Sequence, residues 1–194
     1  MKRTPNTPHR RLAGLCLAML LLLAAGQTAR AQAYAVRTNA AAWAVMAPNV
    51  GLDLVLTDRT TLSGSFYKTI GHSYVKDADV TAVQLSYRHW YSHQPFNGLF
   101  WGLTVSPALY NLAIAGRDAE GAACDVRHRG EALPVSLDLG YSIPLSRRMN
   151  LEFVAGVGAV YFSERILRAT GKERREDVGV APTNLGVNLS WILK

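Results

Sequence analysis

Cysteine is nearly absent from this 194-residue chain: there are two, and one of them, Cys16, lies in an N-terminal stretch that reads as a removable leader. Only Cys124 then remains, so no intramolecular disulfide can brace the mature chain. Also missing, after residue 30, is any unbroken apolar run of about 18–20 residues, which excludes a polytopic helical membrane protein. Acid is missing from Met1–Ala31 altogether. Five of the 21 Lys and Arg lie there, so the rest of the chain carries 16 bases against 14 acids, a net charge of +2. The formal +7 belongs mostly to the leader, and a nucleic-acid partner loses its electrostatic basis. Metal-ligand spacing is lacking too. His72, His89, His93 and His128 stand apart from Cys, Asp and Glu, and His89 and His93, at i and i+4, would meet on a helix but not on a strand followed by a turn. No metal and no cofactor is expected.

What is present begins with that leader: a basic start, an apolar run from Leu12 to Ala25, and a small-residue exit at Ala29-Arg30-Ala31 or Ala31-Gln32-Ala33. It marks residues 1–31 as a secretory signal peptide and 32–194 as one domain. Leu15 stands where lipoprotein processing needs a small residue, and no stop-transfer cluster follows the apolar run, so neither a lipid anchor nor a retained helix is expected.

The mature chain is written in alternation, the period of a strand whose two faces see different surroundings. In Ala82–Asn111 two alternating runs flank the polar break Ser92–Gly98; Leu99, Trp101, Leu103 and Val105 share one face, and Gly102, Thr104 and Ser106 the other. The same pattern predicts strands over 34–47, 50–57, 61–70, 80–91, 99–114, 131–143, 151–162 and 180–194. Eight strands with bulky apolar residues on one face and Gly, Ser, Asn, Thr and isolated charges on the other predict an all-β fold: an eight-stranded, antiparallel, up-and-down transmembrane β-barrel. The small polar face suits a narrow lumen and not a dry core. A soluble lipocalin-like barrel would need the reverse distribution. Connections alternate in length as well. Asp58-Arg59, His93–Gly98 and Ser146–Asn150 are short, as on a periplasmic side, whereas 71–79, 115–130 and 165–179 read as surface loops; only the first connection, 47–49, is shorter than this scheme requires.

By parity Arg37, Asp53, Arg88, Asp138 and Glu152 face the lumen, where unpaired charges would be costly. Arg–carboxylate pairs closing the interior are therefore expected, the alternative being charges at the watery rims. Tyr87, Tyr91, Trp101, Tyr141, Phe153 and Trp191 fall on apolar faces toward the short-turn end and make a candidate interfacial girdle with outer-membrane lipid as its partner. Enzymatic signals are weak: His89 faces outward near the short-turn end with no serine on its face nearby, so a lipid-modifying enzyme is an alternative and not the first reading. The run from Arg165 to Asp177 holds five bases that could meet anionic lipopolysaccharide, although its acids nearly cancel them.

Several segments in a fixed order resemble a family of small Bacteroidota outer-membrane β-barrel proteins catalogued as a domain of unknown function. They are Ala35–Asn39, Ala47–Leu52, the hairpin with Gln84, Arg88–Trp90 and Phe96–Gly98, then Gly140-Tyr141, Asn150–Glu152 and Gly179–Lys194 with Ala181-Pro182-Thr183. The resemblance implies the same eight-stranded barrel and fimbrial or other envelope proteins as partners, and it supplies no catalytic residue. Lys194, where an aromatic would carry the assembly signal, departs from the pattern. The reading is a monomeric outer-membrane protein of structural or surface-interaction role. A soluble periplasmic barrel for an apolar ligand is a further alternative.

Overall fold

The computed structural model describes residues 33–70, 78–117, 123–168 and 171–193. The expected leader, His72 and most of the 71–79 loop, the tip of the 115–130 loop, and Lys194 lie outside the described residues. Nine strands form: β1 Tyr34–Asn39, β2 Asn49–Thr57, β3 Thr60–Lys68, β4 Asp79–Trp90, β5 Gly98–Val105, β6 Ala108–Arg117, β7 Ala123–Pro144, β8 Met149–Arg168 and β9 Gly171–Ile192, with one short helix, α1, at Ala40–Ala44. All pairings are antiparallel. They join neighbours around the sheet, and β9 returns to β1, so the sheet is a closed ring.

The alternation in the sequence becomes an inside and an outside. Leu137, Leu139, Tyr141, Phe153, Leu185 and Leu189 point out and stay exposed, while Ser86, Thr104, Ser136, Ser142, Asn188 and Ser190 are buried on the opposite face. Closure lets most of the ladder bond to itself, leaving few free edges.

The expectation of eight strands is corrected at the fifth. The predicted strand 99–114 is two, β5 and β6, because Pro107 has no N–H to give to the ladder. Both pieces nonetheless lie between β4 and β7: β4 pairs with β5 through Leu85–Trp90 and with β6 through Asp79–Ala82, and the Pro107 carbonyl accepts from Val83 N at 3.0 Å. The predicted first strand, 34–47, is also too long. It ends at Asn39, whose side chain accepts from the amides of Ala41 and Ala42 and starts α1 on a run of alanines, the residue that pays least to become helical. Asn39 also reaches sideways. Its amide accepts from Val187 N and donates to the Leu185 carbonyl, each at 3.3 Å, so a side chain takes the place that the next peptide of β1 would have held beside β9.

The charged stretches 115–130 and 165–179 are also corrected. Ala123–Gly130, Arg165–Arg168 and Gly171–Gly179 are strand, carrying β7, β8 and β9 to 22, 20 and 22 residues. With polar residues on both faces there is no hydrophobic period to read, and backbone pairing to the neighbouring strand decides the conformation. Together with β6 these extensions form a sheet that continues past the end of β1, where α1 replaces it.

Candidate functional site

The interior of the ring gathers the buried charge. Arg37 on β1 brings Nε to within 3.4 Å of Asp53 Oδ1 on β2 and an Nη to within 3.6 Å of Glu152 Oε1 on β8; Arg88 on β4 meets the other Glu152 oxygen at 2.9 Å. Glu152 is thus the bridge between two guanidiniums that come from different parts of the ring. Asn188 Nδ2 adds a hydrogen bond to Glu152 Oε1 at 2.8 Å, and Ser65 Oγ accepts from Arg37. Asp53 is fully buried and accepts no hydrogen bond among the described residues, so its ion pair with Arg37 is what compensates its charge there. Four of the five expected lumen charges are therefore connected. Asp138 is the exception: it makes no ion pair among the described residues and is held by neutral donors, Ser136 Oγ at 2.8 Å, Asn184 Nδ2 at 2.7 Å, and Thr104 Oγ1.

Small residues across the wall make room for these groups. A Cβ on Gly156 would strike the Asp138 carboxylate, and one on Gly51 would strike Ser65 Oγ. Glycine at these two positions leaves room for the Asp138 carboxylate and for Ser65 beside Arg37.

Below the charges the interior is apolar. Trp90, Phe96 and Phe100 are buried inside the end where β4 turns into β5. Trp90 lies with its ring centroid 4.6 Å from that of Phe100 and 5.9 Å from that of Phe96, and Trp90 Nε1 donates to Thr61 Oγ1 at 3.1 Å. The Arg88 guanidinium sits 5.1 Å from the Phe100 ring centroid, joining this cluster to the ion pairs. Phe96 takes φ +68°, a left-handed conformation that an L residue adopts only when its surroundings hold it there. Its carbonyl accepts from Ser142 Oγ at 2.9 Å and from Asn150 Nδ2, so the turn is pulled into the ring. At the opposite end Asn39, Tyr67, Gln84 and Asn184 border a cavity of about 380 Å³ beside Ala41, Ala42 and Val45, and Tyr67 OH donates to Gln84 Oε1 at 3.1 Å.

No curated protein and no solved structure matches the chain. Residues 17–193 do match a family model, described as a protein of unknown function, DUF3575. The chain belongs to this family. Membership assigns no residue a role, and the geometry alone distinguishes the interior from the outer surface.

The six predicted interfacial aromatics, Tyr87, Tyr91, Trp101, Tyr141, Phe153 and Trp191, are all exposed, and Tyr87 and Trp101 lie 6.2 Å apart. Tyr141 and Phe153 are direct cross-strand partners. Of the histidines, His89 lies against Trp101, His93 against Arg59, and His128 Nδ1 is 3.1 Å from Glu164 Oε2. Among the described residues no group of three or more His, Cys, Asp or Glu side chains is arranged to hold a metal ion, and no helix is long and apolar enough to cross a membrane. Residue parity could have found the aromatic cluster, since Trp90 shares its face with Arg88, and Phe100 with Gly102. The inward fold of Phe96 leaves no such trace in the sequence.

Proposed function

We propose that the protein is an outer-membrane β-barrel of structural or surface-interaction role with a closed interior and no catalysis of its own. The observation that carries this reading is the inversion of polarity across the wall. Leu137, Val180 and Leu185 are 64%, 81% and 68% exposed, whereas Arg37, Asp53 and Glu152 are at most 4% exposed. Water is a poor solvent for the first set and lipid for the second, so a bilayer around the ring satisfies both. With β5 and β6 counted as one interrupted stave the wall has eight, the smallest even number used by single-chain outer-membrane barrels. The short connections at 58–59, 91–97 and 145–148 share one end with the first strand's start, which this reading puts in the periplasm behind a secretory signal, and the six aromatics sit toward that end as interface anchors. The partners it implies are outer-membrane lipid and, at the other end, envelope proteins reached by the long hairpins.

Extraction only by detergent, together with a folded band that changes gel mobility on boiling, is the expected result. Recovery in the soluble periplasmic fraction would overturn the membrane reading in favour of a soluble barrel. The ion pairs and the Trp90, Phe96 and Phe100 cluster lie across the interior between its two ends, so purified protein in planar bilayers is expected to show no sustained conductance.

A further inference from the structure

Above the apolar band the outer face of the long hairpins carries a row of arginines. Leu133, Tyr161 and Val178 are cross-strand partners on β7, β8 and β9, all exposed, and they are the last such apolar row. Two residues further on the outer face comes a mixed row, Glu131, Ser163 and Glu176, and two further still Arg129 pairs with Arg165, which pairs with Arg174. Three guanidiniums thus stand side by side on adjacent strands, and all three are exposed. Like charges directly opposite one another on a sheet destabilise it. Arg174 finds Glu176 at 2.5 Å, but neither Arg129 nor Arg165 has an acidic partner among the described residues. Arg127, also exposed, lies two residues beyond Arg129.

We infer that this arginine row binds the phosphates of an anionic lipid headgroup in the outer leaflet. The inference rests on the membrane reading above and goes beyond it by naming a site and a ligand chemistry. Height is one reason. Four residues along a strand span about 13 Å, and strand tilt reduces this to about 10 Å above the last apolar row. Long arginine side chains reach back down from there to the headgroup layer. Charge is the other. Planar guanidiniums chelate phosphate oxygens in pairs, and a phosphate between Arg129 and Arg165 removes the repulsion that the sheet otherwise bears. Glu131 and Glu176 lie on the lipid side of the row and repel an anion at their own level, so the phosphate site is the arginine row itself, chiefly Arg129 and Arg165, since Arg174 is paired with Glu176.

The test uses the full mature protein in neutral detergent, titrated with bis-phosphorylated lipid A and followed by native mass spectrometry. The wild type is expected to retain the lipid, and the Arg129→Gln/Arg165→Gln protein to retain it roughly 10- to 30-fold more weakly. Arg147→Gln/Arg148→Gln, which removes the same charge from the exposed turn at the other end, is expected to bind as the wild type does. Lipid A stripped of its phosphates should bind wild type and variant alike. Equal phosphorylated-lipid binding by wild type and Arg129→Gln/Arg165→Gln would overturn the inference, as would an equal loss in the Arg147→Gln/Arg148→Gln control. Boiling-dependent gel mobility, read on every variant, separates this from failure of the barrel itself. Should the double Gln variant not fold, Arg129→Lys/Arg165→Lys keeps the charge but not the paired geometry, and is expected to bind several-fold more weakly than the wild type.

Discussion

Where β4 turns into β5, Trp90, Phe96 and Phe100 are buried against one another; at the opposite end Asn39, Tyr67, Gln84 and Asn184 border a cavity of about 380 Å³. Between the two lies the Arg37, Asp53, Glu152 and Arg88 chain of ion pairs. A narrow ring is thereby sealed from one side. Aromatic rings give shape and volume at the closed end, and they form a floor that keeps the charges above them out of contact with solvent from below. Among the described residues the open end has no such aromatic floor, and amides and hydroxyls there share the cavity wall with Ala41, Ala42 and Val45.

The largest loss is expected in the middle. Glu152→Ala leaves Arg37 and Arg88 facing each other without their shared carboxylate, and a loss of about 3–5 kcal/mol is expected, because the cost is that of uncompensated buried charge. Denaturant titration of the detergent-solubilised protein, followed by the boiling-dependent gel shift, reads it. At the closed end Phe100→Ala removes the ring between Trp90 and Arg88, with an expected cost of about 3 kcal/mol from the cavity left behind. Acrylamide quenching of Trp90, in a background without the other tryptophans, should rise in this variant, and unchanged quenching would show that the floor does not depend on Phe100. Gly140→Ala tests the same place from across the wall. Its Cβ would collide with the Phe100 ring, and overpacking of this kind costs about 1–3 kcal/mol. The smallest effect is expected at the open end. Tyr67→Phe removes only the hydroxyl that donates to Gln84, and a change of about 1 kcal/mol or less in the same titration would set the two ends apart. A loss there as large as that of Phe100→Ala would erase the distinction.

Strands with one apolar face were legible from sequence because alternation survives wherever an exposed apolar face is opposed by a buried polar one. β2, β3, β4, β7 and β8 were visible for that reason, and parity alone put Arg37, Asp53, Arg88, Asp138 and Glu152 on one side of the wall. It could not say which of them touch. Contacts such as Arg88 with Glu152 join residues 64 apart and depend on how far neighbouring strands are staggered, which no local pattern carries. Helix α1 was hidden because alanine serves either face of a strand, so Ala40–Ala42 looked like a continuation of β1. The hairpin extensions were hidden for the opposite reason: both of their faces are polar, and Arg129, Arg165 and Arg174 came together only once the register of three strands was known.

Asn39 fixes the height of the wall. One side chain stops β1, starts α1 and occupies the bonding positions beside Val187 and Leu185, so the rim of the ring on this side is set at a single level by a single amide. Anything approaching the cavity over that rim meets a finished surface and not a raw main-chain edge. Among the described residues the taller sheet of β6 to β9 thus stands beside the mouth as a one-sided parapet, with α1 at the low side.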